Sequence, residues 1–211
     1  MKRIIIADDH SFVRLGLIQI LSDEYPSAEI KEVGDGEALV KEVMLHDWDL
    51  VVSDLDMPGR SGLEALEQIK LMRPGLPVII LSIYSEDLYA VRALKAGAAG
   101  YINKNAAPYE LIKAIERIKL GKKYITPEVA EKLLDQQEEG LAHERLSNRE
   151  FEIFKMLATG KTITQISETL SLALTTVSTH RSHILEKMDL GSNAELTRYA
   201  IAHQLIPDMK I

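Results

Sequence analysis

The stretch that decides the fold is "DLVVSDLDMPG", residues 49–59. It opens with a short apolar run, residues 50–52, whose length and composition are typical of a buried strand. The run leads to Asp54, and Pro58 and Gly59 follow as turn-forming residues. A carboxylate where a buried strand ends, with a loop directly after it, indicates a site at the edge of a sheet.

Five such runs occur in the first 120 residues, and longer segments with helical spacing separate them. One segment, residues 61–73, begins with Ser61 and Glu64 in the spacing of a capping box, and Ser85 before two acids predicts another helix start. Strands that alternate with helices predict an α/β fold with a parallel sheet and helices on both faces. The predicted strands are residues 3–7, 28–33, 49–53, 77–81 and 99–102.

Composition limits the class of protein. The 211 residues are 46% hydrophobic, enough for a core, and allow one or two domains at about 150 residues each. The chain has no cysteine, which excludes disulfides and thiolate chemistry and is typical of a reducing compartment. The sequence shows neither a signal peptide nor a membrane span, so we expect a cytoplasmic protein with no membrane partner.

The formal net charge of −7 is unevenly distributed. Residues 1–120 carry −5, residues 121–143 carry −2, and residues 144–211 carry none. Because the acid lies in the first part, the total says little about what the last part binds. We predict a domain at 1–120, a second domain at 144–211, and between them a linker that opens with a short helix at Thr126 and Pro127.

Residues 144–211 show no strand pattern and predict an all-α unit of four helices. Gly160 and Gly191 stand where helices should stop. A short helix at about 163–170, a tight turn and a longer helix at about 175–188 match the helix-turn-helix pattern. Three capping boxes mark helix starts: Ser147 with Glu150, Thr162 with Gln165, and Ser192 with Glu195.

Four of the five predicted strands are followed within two residues by a charged or hydroxyl residue. In an open parallel sheet these ends share one edge, where ligands bind. Carboxylates gathered there repel unless a cation neutralises them, and oxygen ligands without His or Cys favour Mg²⁺. A carboxylate beside Mg²⁺ and a lysine can attack phosphorus to form an aspartyl-phosphate. The residues are Asp8 and Asp9 after the first strand, Asp54 after the third, Ser82 after the fourth and Lys104 after the fifth.

Each of these residues taken alone has a simpler structural explanation. Asp8 or Asp9 can cap the following helix, and Asp54 can cap a turn. Ser82 can be a buried hydroxyl, and Lys104 can be a solvated charge. The combination of all of them at one sheet edge favours the phosphoryl site.

The motifs "ADDH", "VVSDLDMPGRSG", "LSIYSED" and "GYINKN" resemble the receiver domain of two-component response regulators. The resemblance covers about residues 1–120 and implies a flavodoxin-like five-stranded sheet of order 2-1-3-4-5. It implies that Asp54 accepts phosphate from a sensor histidine kinase, and that Asp8 and Asp9 bind Mg²⁺ together with Asp54. A regulator of this class is not an enzyme, because it assists only its own phosphorylation and dephosphorylation.

The same resemblance assigns the groups that read the phosphate. Lys104 would pair with the phosphoryl group, Ser82 would move to it, and Tyr101 would turn inward behind Ser82. Asp56 and Tyr84, two residues beyond Asp54 and Ser82, vary in the family and would set the lifetime of the phosphorylated form.

The pieces "LSNRE", "GKTITQIS", "TTVSTHRSHILEKM" and "SNAELTRYA" resemble a LuxR-type DNA-binding domain of the NarL subfamily, over residues 146–206. This implies a supporting helix at 162–171, a recognition helix at 175–188 and a dimer surface on the last helix, about 193–204. Val177, Ile184 and Met188 are expected to face the core. The expected DNA-binding residues are Thr175, Thr176, Ser178, Thr179, Arg181, Ser182 and Lys187.

The sequence departs from the LuxR-type pattern at two positions. Ser178 stands where lysine is common, and Ala173 replaces the serine that caps the recognition helix, so Thr175 would cap a later start. An Ala cap costs about 1 kcal/mol. Both changes predict modest DNA affinity per monomer and a greater need for dimerisation.

The sequence therefore predicts a phosphorylation-controlled DNA-binding transcriptional regulator. Its expected partners are a sensor histidine kinase, promoter DNA and, on phosphorylation, a second copy of the chain, with RNA polymerase as a further candidate. One alternative is a phosphatase or phosphotransferase with an aspartyl-phosphate intermediate, although the chain has no insertion for a substrate cap. Another is a protein–protein adaptor whose helical domain binds no DNA, which its net charge of zero favours.

Overall fold

The computed structural model describes residues 1–84, 86–135, 141–203 and 205–206. The chain forms two compact units, Met1–Asp135 and Gln136–Ile211. The helix start predicted at Ser85 lies outside the described residues. Among those residues, none of the helices combines the length and the apolar content needed to cross a membrane.

The first unit contains a five-stranded, fully parallel sheet of order β2-β1-β3-β4-β5, which confirms the predicted fold class. Its central strands are rich in isoleucine and valine, which suit a sheet that is buried on both faces. Every residue of β3 and of β4 is buried. The strands are β1 (Arg3–Ala7), β2 (Glu29–Val33), β3 (Leu50–Asp54), β4 (Val78–Ser82) and β5 (Gly100–Asn103).

Helices cover both faces of this sheet. On one face, Ile4 and Val52 form a core with Leu21 and Leu111, which belong to α1 and α5. The alternate strand residues, such as Val51, are equally buried, so the opposite face is covered as well. The helices are α1 (Ser11–Glu24), α2 (Gly36–Leu45), α3 (Gly62–Met72), α4 (Glu86–Lys95), α5 (Ala107–Lys119) and α6 (Pro127–Asp135), and α6 packs against α4 within this unit.

Three strands end one residue later than the sequence suggests. β3 includes Asp54, which pairs with Leu81 of β4, and β4 includes Ser82, which pairs with Asn103 of β5. The backbone N–H of Leu55 also donates to the Leu81 carbonyl at 2.8 Å. Because ladder hydrogen bonds use only backbone atoms, a polar side chain does not end a strand.

The predicted capping box of Ser61 and Glu64 is present at the start of α3. The next residue, Gly62, lies directly against the backbone of Asp54, and a Cβ at this position would overlap the Asp54 carbonyl oxygen. Glycine therefore allows the start of α3 to pack against the end of β3. This contact fixes the loop that follows Asp54.

The second unit has no strand among its described residues and contains four α-helices after a short 3-10 helix at Ala142–Arg145. Its core is formed around Phe151 and Phe154, with Ile166, Ile184 and Leu196 buried beside them. The four helices are α7 (Asn148–Ala158), α8 (Ile163–Leu170), α9 (Leu174–Met188) and α10 (Asn193–Ala202).

Most of the predicted helix boundaries in this unit hold. Ser147 and Thr162 cap α7 and α8 in complete capping boxes with Glu150 and Gln165. Gly160 has a positive φ of 85° just after α7, as expected of a helix stop.

Three local predictions are wrong. Ser192 caps α10, but Glu195 does not complete the box, because its carboxylate accepts the backbone N–H of Gly191 at 2.7 Å instead. Gly191 is not the residue that ends α9, since Asp189 adopts the left-handed conformation there. α9 begins at Leu174 with Ala173 as its N-cap, so Thr175 does not start the helix later.

Candidate functional site

The ends of β1, β3 and β5 bring two aspartates and one lysine into direct contact. Lys104 Nζ lies 2.7 Å from Asp8 Oδ2 and 2.8 Å from Asp54 Oδ2. The side chains of Asp8, Asp54 and Lys104 are only 1%, 4% and 12% exposed. The Lys104 backbone N–H donates to the carbonyl of Ser82 at 2.7 Å, which holds the lysine beside the end of β4. Asp8, Asp54 and Lys104, which were predicted to cluster at the sheet edge, are therefore in contact although they are far apart in the sequence.

Burial sets the electrostatics of this cluster. Loss of hydration raises the pKa of Asp54 from 3.8 to about 6, against the opposing effect of the Lys104 ion pair. The charges of Asp8 and Asp56 raise the pKa of Asp54 further. Burial lowers the pKa of Lys104, but its bonds to Asp54 and Asp8 outweigh this effect and leave that pKa above its ordinary value. The cluster therefore favours an additional cation or a reaction that removes the charge of Asp54.

Asp9 and His10 form the outer edge of the cluster. The side chain of Asp9 is 35% exposed, and its Oδ1 lies 2.6 Å from His10 Nδ1. Ligand atoms of Asp8, Asp9, His10 and Asp54 all lie within 4.8 Å of one another, so the group is able to hold a metal ion. The N-cap residue of α1 is His10, so neither Asp8 nor Asp9 occupies the capping position of that helix.

Ser82 and Tyr101 meet at the loop that follows β4. Ser82 Oγ accepts the backbone N–H of Tyr84 at 3.1 Å. The hydroxyl of Tyr101 donates to the Tyr84 carbonyl at 3.2 Å, and the Tyr101 residue is 3% exposed. Both side chains therefore hold Tyr84, Ser82 at its backbone N–H and Tyr101 at its carbonyl.

Sequence reasoning missed Asn103, which belongs to this loop contact. Its side-chain amide donates to the carbonyls of Tyr84 at 3.2 Å and Ile83 at 3.4 Å. The available signal was a polar amide at the end of a strand, next to Lys104. Such a signal is weak, because its meaning depends on the loop it meets.

In the second unit, α8 and α9 are joined by a three-residue turn and form the predicted helix-turn-helix. Val177, Ile184 and Met188 are buried against the other helices, as expected. Most of the expected DNA-binding residues lie on the exposed side of α9: Thr175, Thr176, Ser178, Thr179, Ser182 and Lys187, with Arg181 half-buried. His183, which was not among the expected residues, is also exposed on this helix.

Both cations expected on this face are engaged within the domain. The Arg181 guanidinium donates to Asn193 Oδ1 at 2.7 Å. Lys187 Nζ donates to both carboxylate oxygens of Glu150 at 2.7 and 2.8 Å. Burial raises the pKa of Glu150, but Lys187 and the hydrogen bonds of Ser147 reverse the shift, and this pKa lies below its ordinary value. Lys187 thus connects α9 to the capping box of α7.

Two exposed hydroxyls of α9 donate to their own helix. Thr179 Oγ1 donates to the Thr175 carbonyl at 3.0 Å, and Ser182 Oγ donates to the Ser178 carbonyl at 3.2 Å. Their oxygens can still accept hydrogen bonds, which suits the amino groups of bases. To donate to a DNA phosphate, either hydroxyl must first rotate away from the helix.

Comparison with known proteins follows the same division into two units. The family described as the response regulator receiver domain matches residues 4–116, more than half of the chain, and the luxR family of bacterial regulatory proteins matches residues 144–200. The chain belongs to the response regulators. Its receiver domain carries the acidic cluster, and its LuxR-type domain carries the helix-turn-helix.

Relatives of this response regulator share the whole arrangement. Response regulator UvrY of Escherichia coli strain K12 is 34% identical, covering 97% of this chain and 96% of that protein. Oxygen regulatory protein NreC of Staphylococcus carnosus is also 34% identical, over 97% of this chain and 99% of that protein. The chain is thus similar to these regulators from end to end.

Solved structures of RcsB also resemble this response regulator. RcsB from Salmonella enterica serovar Typhimurium, bound to promoter rprA in the presence of the phosphomimetic BeF3-, has a TM-score of 0.66 and 26% identity, covering 96% of this chain and all of that one. An RcsB–DNA complex has a TM-score of 0.58 and 28% identity, over 95% and 98% of the two chains. A receiver joined to a LuxR-type domain makes this response regulator a DNA-binding transcriptional regulator. These relatives give no support to the phosphatase and adaptor alternatives.

Proposed function

We propose that Asp54 is the phosphoacceptor and that a sensor histidine kinase is the donor. The observation that carries the proposal is the buried Asp54 carboxylate at the end of β3, 2.8 Å from the Lys104 ammonium. An oxygen of Asp54 forms a bond to phosphorus while the bond from phosphorus to the histidine nitrogen breaks, and that nitrogen keeps the electron pair. Lys104 then stabilises the charge of the transferred group. The receiver assists only its own phosphorylation and dephosphorylation, so the chain is a regulator and not an enzyme.

Mg²⁺ is the proposed cofactor, held by Asp8, Asp9 and Asp54. Three carboxylates within 4.8 Å of one another fit a hard divalent cation, because they offer oxygen ligands and excess negative charge. When bound, the ion supplies charge neutralisation to the phosphoryl oxygens. Asp9 is the most exposed of the three acids, which suits a ligand at the entrance of the site.

The proposed switch consists of Ser82, Tyr101 and Lys104. Ser82 Oγ accepts from the Tyr84 N–H, and its own hydroxyl proton would be donated to a phosphoryl oxygen. Tyr101 already contacts the carbonyl of Tyr84 from its buried position. A change at Ser82 would thus be transmitted through one shared residue to Tyr101 and to the surface around β4 and β5.

Promoter DNA is the proposed ligand of the second domain, with α9 entering the major groove. The exposed threonine and serine hydroxyls of α9 suit base edges and phosphates. Arg181 and Lys187 are the only arginine and lysine of α9, and both are bound within the domain, so α9 itself offers phosphates no cation that is not already paired. RcsB, which the chain resembles over its whole length, has been solved in complex with DNA.

We infer that phosphorylation acts by pairing two chains on DNA, with α10 as the dimer surface of the second domain. A domain of net charge zero attached to residues of net charge −5 has little long-range attraction for DNA. Two domains held on neighbouring half-sites gain affinity by effective concentration without new contacts. RNA polymerase is a candidate partner of the assembled dimer. RcsB, which the chain resembles, has been solved as two dimers bound to two parallel DNAs, and this supports binding of DNA by a dimer.

Labelling with acetyl phosphate tests the phosphoacceptor. Wild-type protein should take up one phosphoryl group in the presence of Mg²⁺ and none in EDTA, and Asp54→Asn should take up none. Asp9→Ala should be labelled weakly and be partly rescued by excess Mg²⁺, because it loses a metal ligand and keeps the nucleophile. Asp56→Asn is the matched control and should be labelled. Labelling of Asp54→Asn at the wild-type rate would refute the proposal.

A further inference from the structure

We propose that His10 is a fourth ligand of the metal site and makes it prefer first-row transition ions such as Mn²⁺ and Co²⁺ to Mg²⁺. This inference rests on the proposed function, since it concerns the same cluster of Asp8, Asp9 and Asp54. What it adds is a nitrogen ligand that the three acids alone do not provide.

The spacing of His10 suits one corner of an octahedral site. Two neighbouring ligands on an ion with bonds of about 2.1 Å are separated by about 3 Å. His10 Nδ1 lies 2.6 Å from Asp9 Oδ1 and 3.4 Å from Asp8 Oδ1, so the two measured separations lie on either side of this value. Without an ion, the shorter one is the distance of a hydrogen bond between the imidazole and Asp9.

Asp8 separates the lysine side of the cluster from the histidine side. Its Oδ2 contacts Lys104 at 2.7 Å, while its Oδ1 lies on the side of His10. An ion bound to Asp8 Oδ1, Asp9 Oδ1 and His10 Nδ1 would therefore leave the contact between Lys104 and Asp8 in place. This arrangement provides room for both cations around one buried carboxylate.

The backbone holds His10 in place, and its ring has no part in starting α1. The residue is the N-cap of α1 but makes no side-chain capping hydrogen bond. Its backbone N–H donates to Asp8 Oδ1 at 2.8 Å, and its side chain is 67% exposed. The imidazole is therefore positioned beside the acids and accessible to an ion from solvent.

The chemistry of the ligands sets the expected selectivity. Mg²⁺ prefers oxygen ligands and keeps several waters, so an imidazole adds little to its binding. Divalent transition ions accept imidazole nitrogen, and their affinity for mixed nitrogen and oxygen sites rises from Mn²⁺ through Co²⁺ to Ni²⁺. His10 should therefore strengthen the binding of Mn²⁺ and Co²⁺ and leave that of Mg²⁺ almost unchanged.

The test titrates the full chain with Mn²⁺ and monitors binding by the loss of the EPR signal of free Mn²⁺. The affinities for Co²⁺ and Mg²⁺ are then measured by their competition with bound Mn²⁺. His10→Ala should weaken Mn²⁺ and Co²⁺ binding by at least about tenfold, because even the loss of an outer-shell partner costs about 10–100-fold and His10 is a direct ligand, and it should weaken Mg²⁺ binding by less than about twofold. His46→Ala is the matched control, because His46 is another exposed histidine, at the end of α2. Nitrogen modulation in the pulsed EPR spectrum of bound Mn²⁺ should be lost in His10→Ala and kept in His46→Ala.

The outcomes separate this inference from the proposed function. If Asp9→Ala abolishes Mn²⁺ binding while His10→Ala binds Mn²⁺ and Co²⁺ like wild type, the role of His10 is refuted and the acidic site remains. If neither Asp9→Ala nor Asp54→Asn affects the binding of any of these ions, the acidic metal site itself is refuted. Fluorescence of Trp48, the single tryptophan, confirms that each variant is folded.

Discussion

Replacement of Asp54 by asparagine should stabilise the metal-free receiver domain at neutral pH. The Asp54 side chain is 4% exposed, and burial raises its pKa from 3.8 to about 6 even with Lys104 beside it. One pKa unit corresponds to about 1.4 kcal/mol, so ionised Asp54 reduces the free energy of unfolding by about 3 kcal/mol. Asparagine keeps the shape of the side chain and removes the buried charge.

The sign of the pKa shift gives this effect a defined pH range. A carboxyl group whose pKa is higher in the folded state binds its proton more tightly there, so stability falls as the pH rises. The loss develops between pH 3.8 and about 6 and is complete above that range. The gain in unfolding free energy for Asp54→Asn over wild type should therefore be close to zero at about pH 4 and reach about 3 kcal/mol by about pH 8.

Urea unfolding in EDTA, followed by tryptophan fluorescence, measures this difference. Trp48 is the only tryptophan, is 8% exposed and lies in the first unit, so its signal reports on the receiver alone. Asp49→Asn is the control at the other end of β3. Backbone N–H groups of Lys2 and Arg3 lower the pKa of Asp49, so ionised Asp49 stabilises the fold. Its replacement should therefore destabilise the fold, most strongly at a pH above the ordinary pKa of a carboxyl group, which is the opposite sign to Asp54→Asn. Equal or lower stability of Asp54→Asn at pH 8, or a gain independent of pH, would refute the reasoning.

Three further predictions follow from the other contacts. Lys104→Ala should still be labelled by acetyl phosphate but should fail to dimerise by light scattering, because its ammonium reads the phosphoryl group; wild-type dimerisation of the labelled variant would contradict the switch role. Lys187→Ala should destabilise the second unit by about 1–3 kcal/mol, since Glu150 is left as a 5% exposed charge, and hydrogen exchange of α9 amides should rise; unchanged exchange would count against this. Ser178→Lys should increase DNA affinity, because an exposed position gains a phosphate contact. The slope of log affinity against log salt concentration should become steeper by about 0.9, and equal slopes for the variant and the wild type would exclude such a contact.

The sheet and the cluster at its edge could be predicted from the sequence because both follow from one pattern. Alternating strands and helices imply a parallel sheet, and a parallel sheet gathers the ends of its strands at one edge. Asp8, Asp54 and Lys104 were therefore expected together, and the structure places them in contact. The helix starts at Ser61 and Thr162 were predicted correctly because each capping box is formed by two residues only three positions apart.

Contacts between distant residues that do not follow from the sheet pattern could not be predicted from the sequence. The ion pair of Lys187 with Glu150 spans 37 residues, and nothing near Lys187 in the sequence indicates it. The contact of Tyr101 with the Tyr84 carbonyl depends on how one loop folds over the end of β5. Local signals also failed where two partners competed, as when Glu195 accepted the Gly191 N–H instead of completing its capping box.

The most direct test of phosphorylation control measures DNA affinity and mass on the same samples. Full-length wild-type protein and Asp54→Asn are titrated onto labelled DNA from the promoter region of the protein's own operon, across a salt series, with and without Mg²⁺ and beryllofluoride. Light scattering gives the mass of each sample. Wild type with both additives should bind as a dimer, more tightly and with a steeper salt dependence than without them, and Asp54→Asn should not respond. Tight binding by a monomer, or an equal response of Asp54→Asn, would contradict control through Asp54.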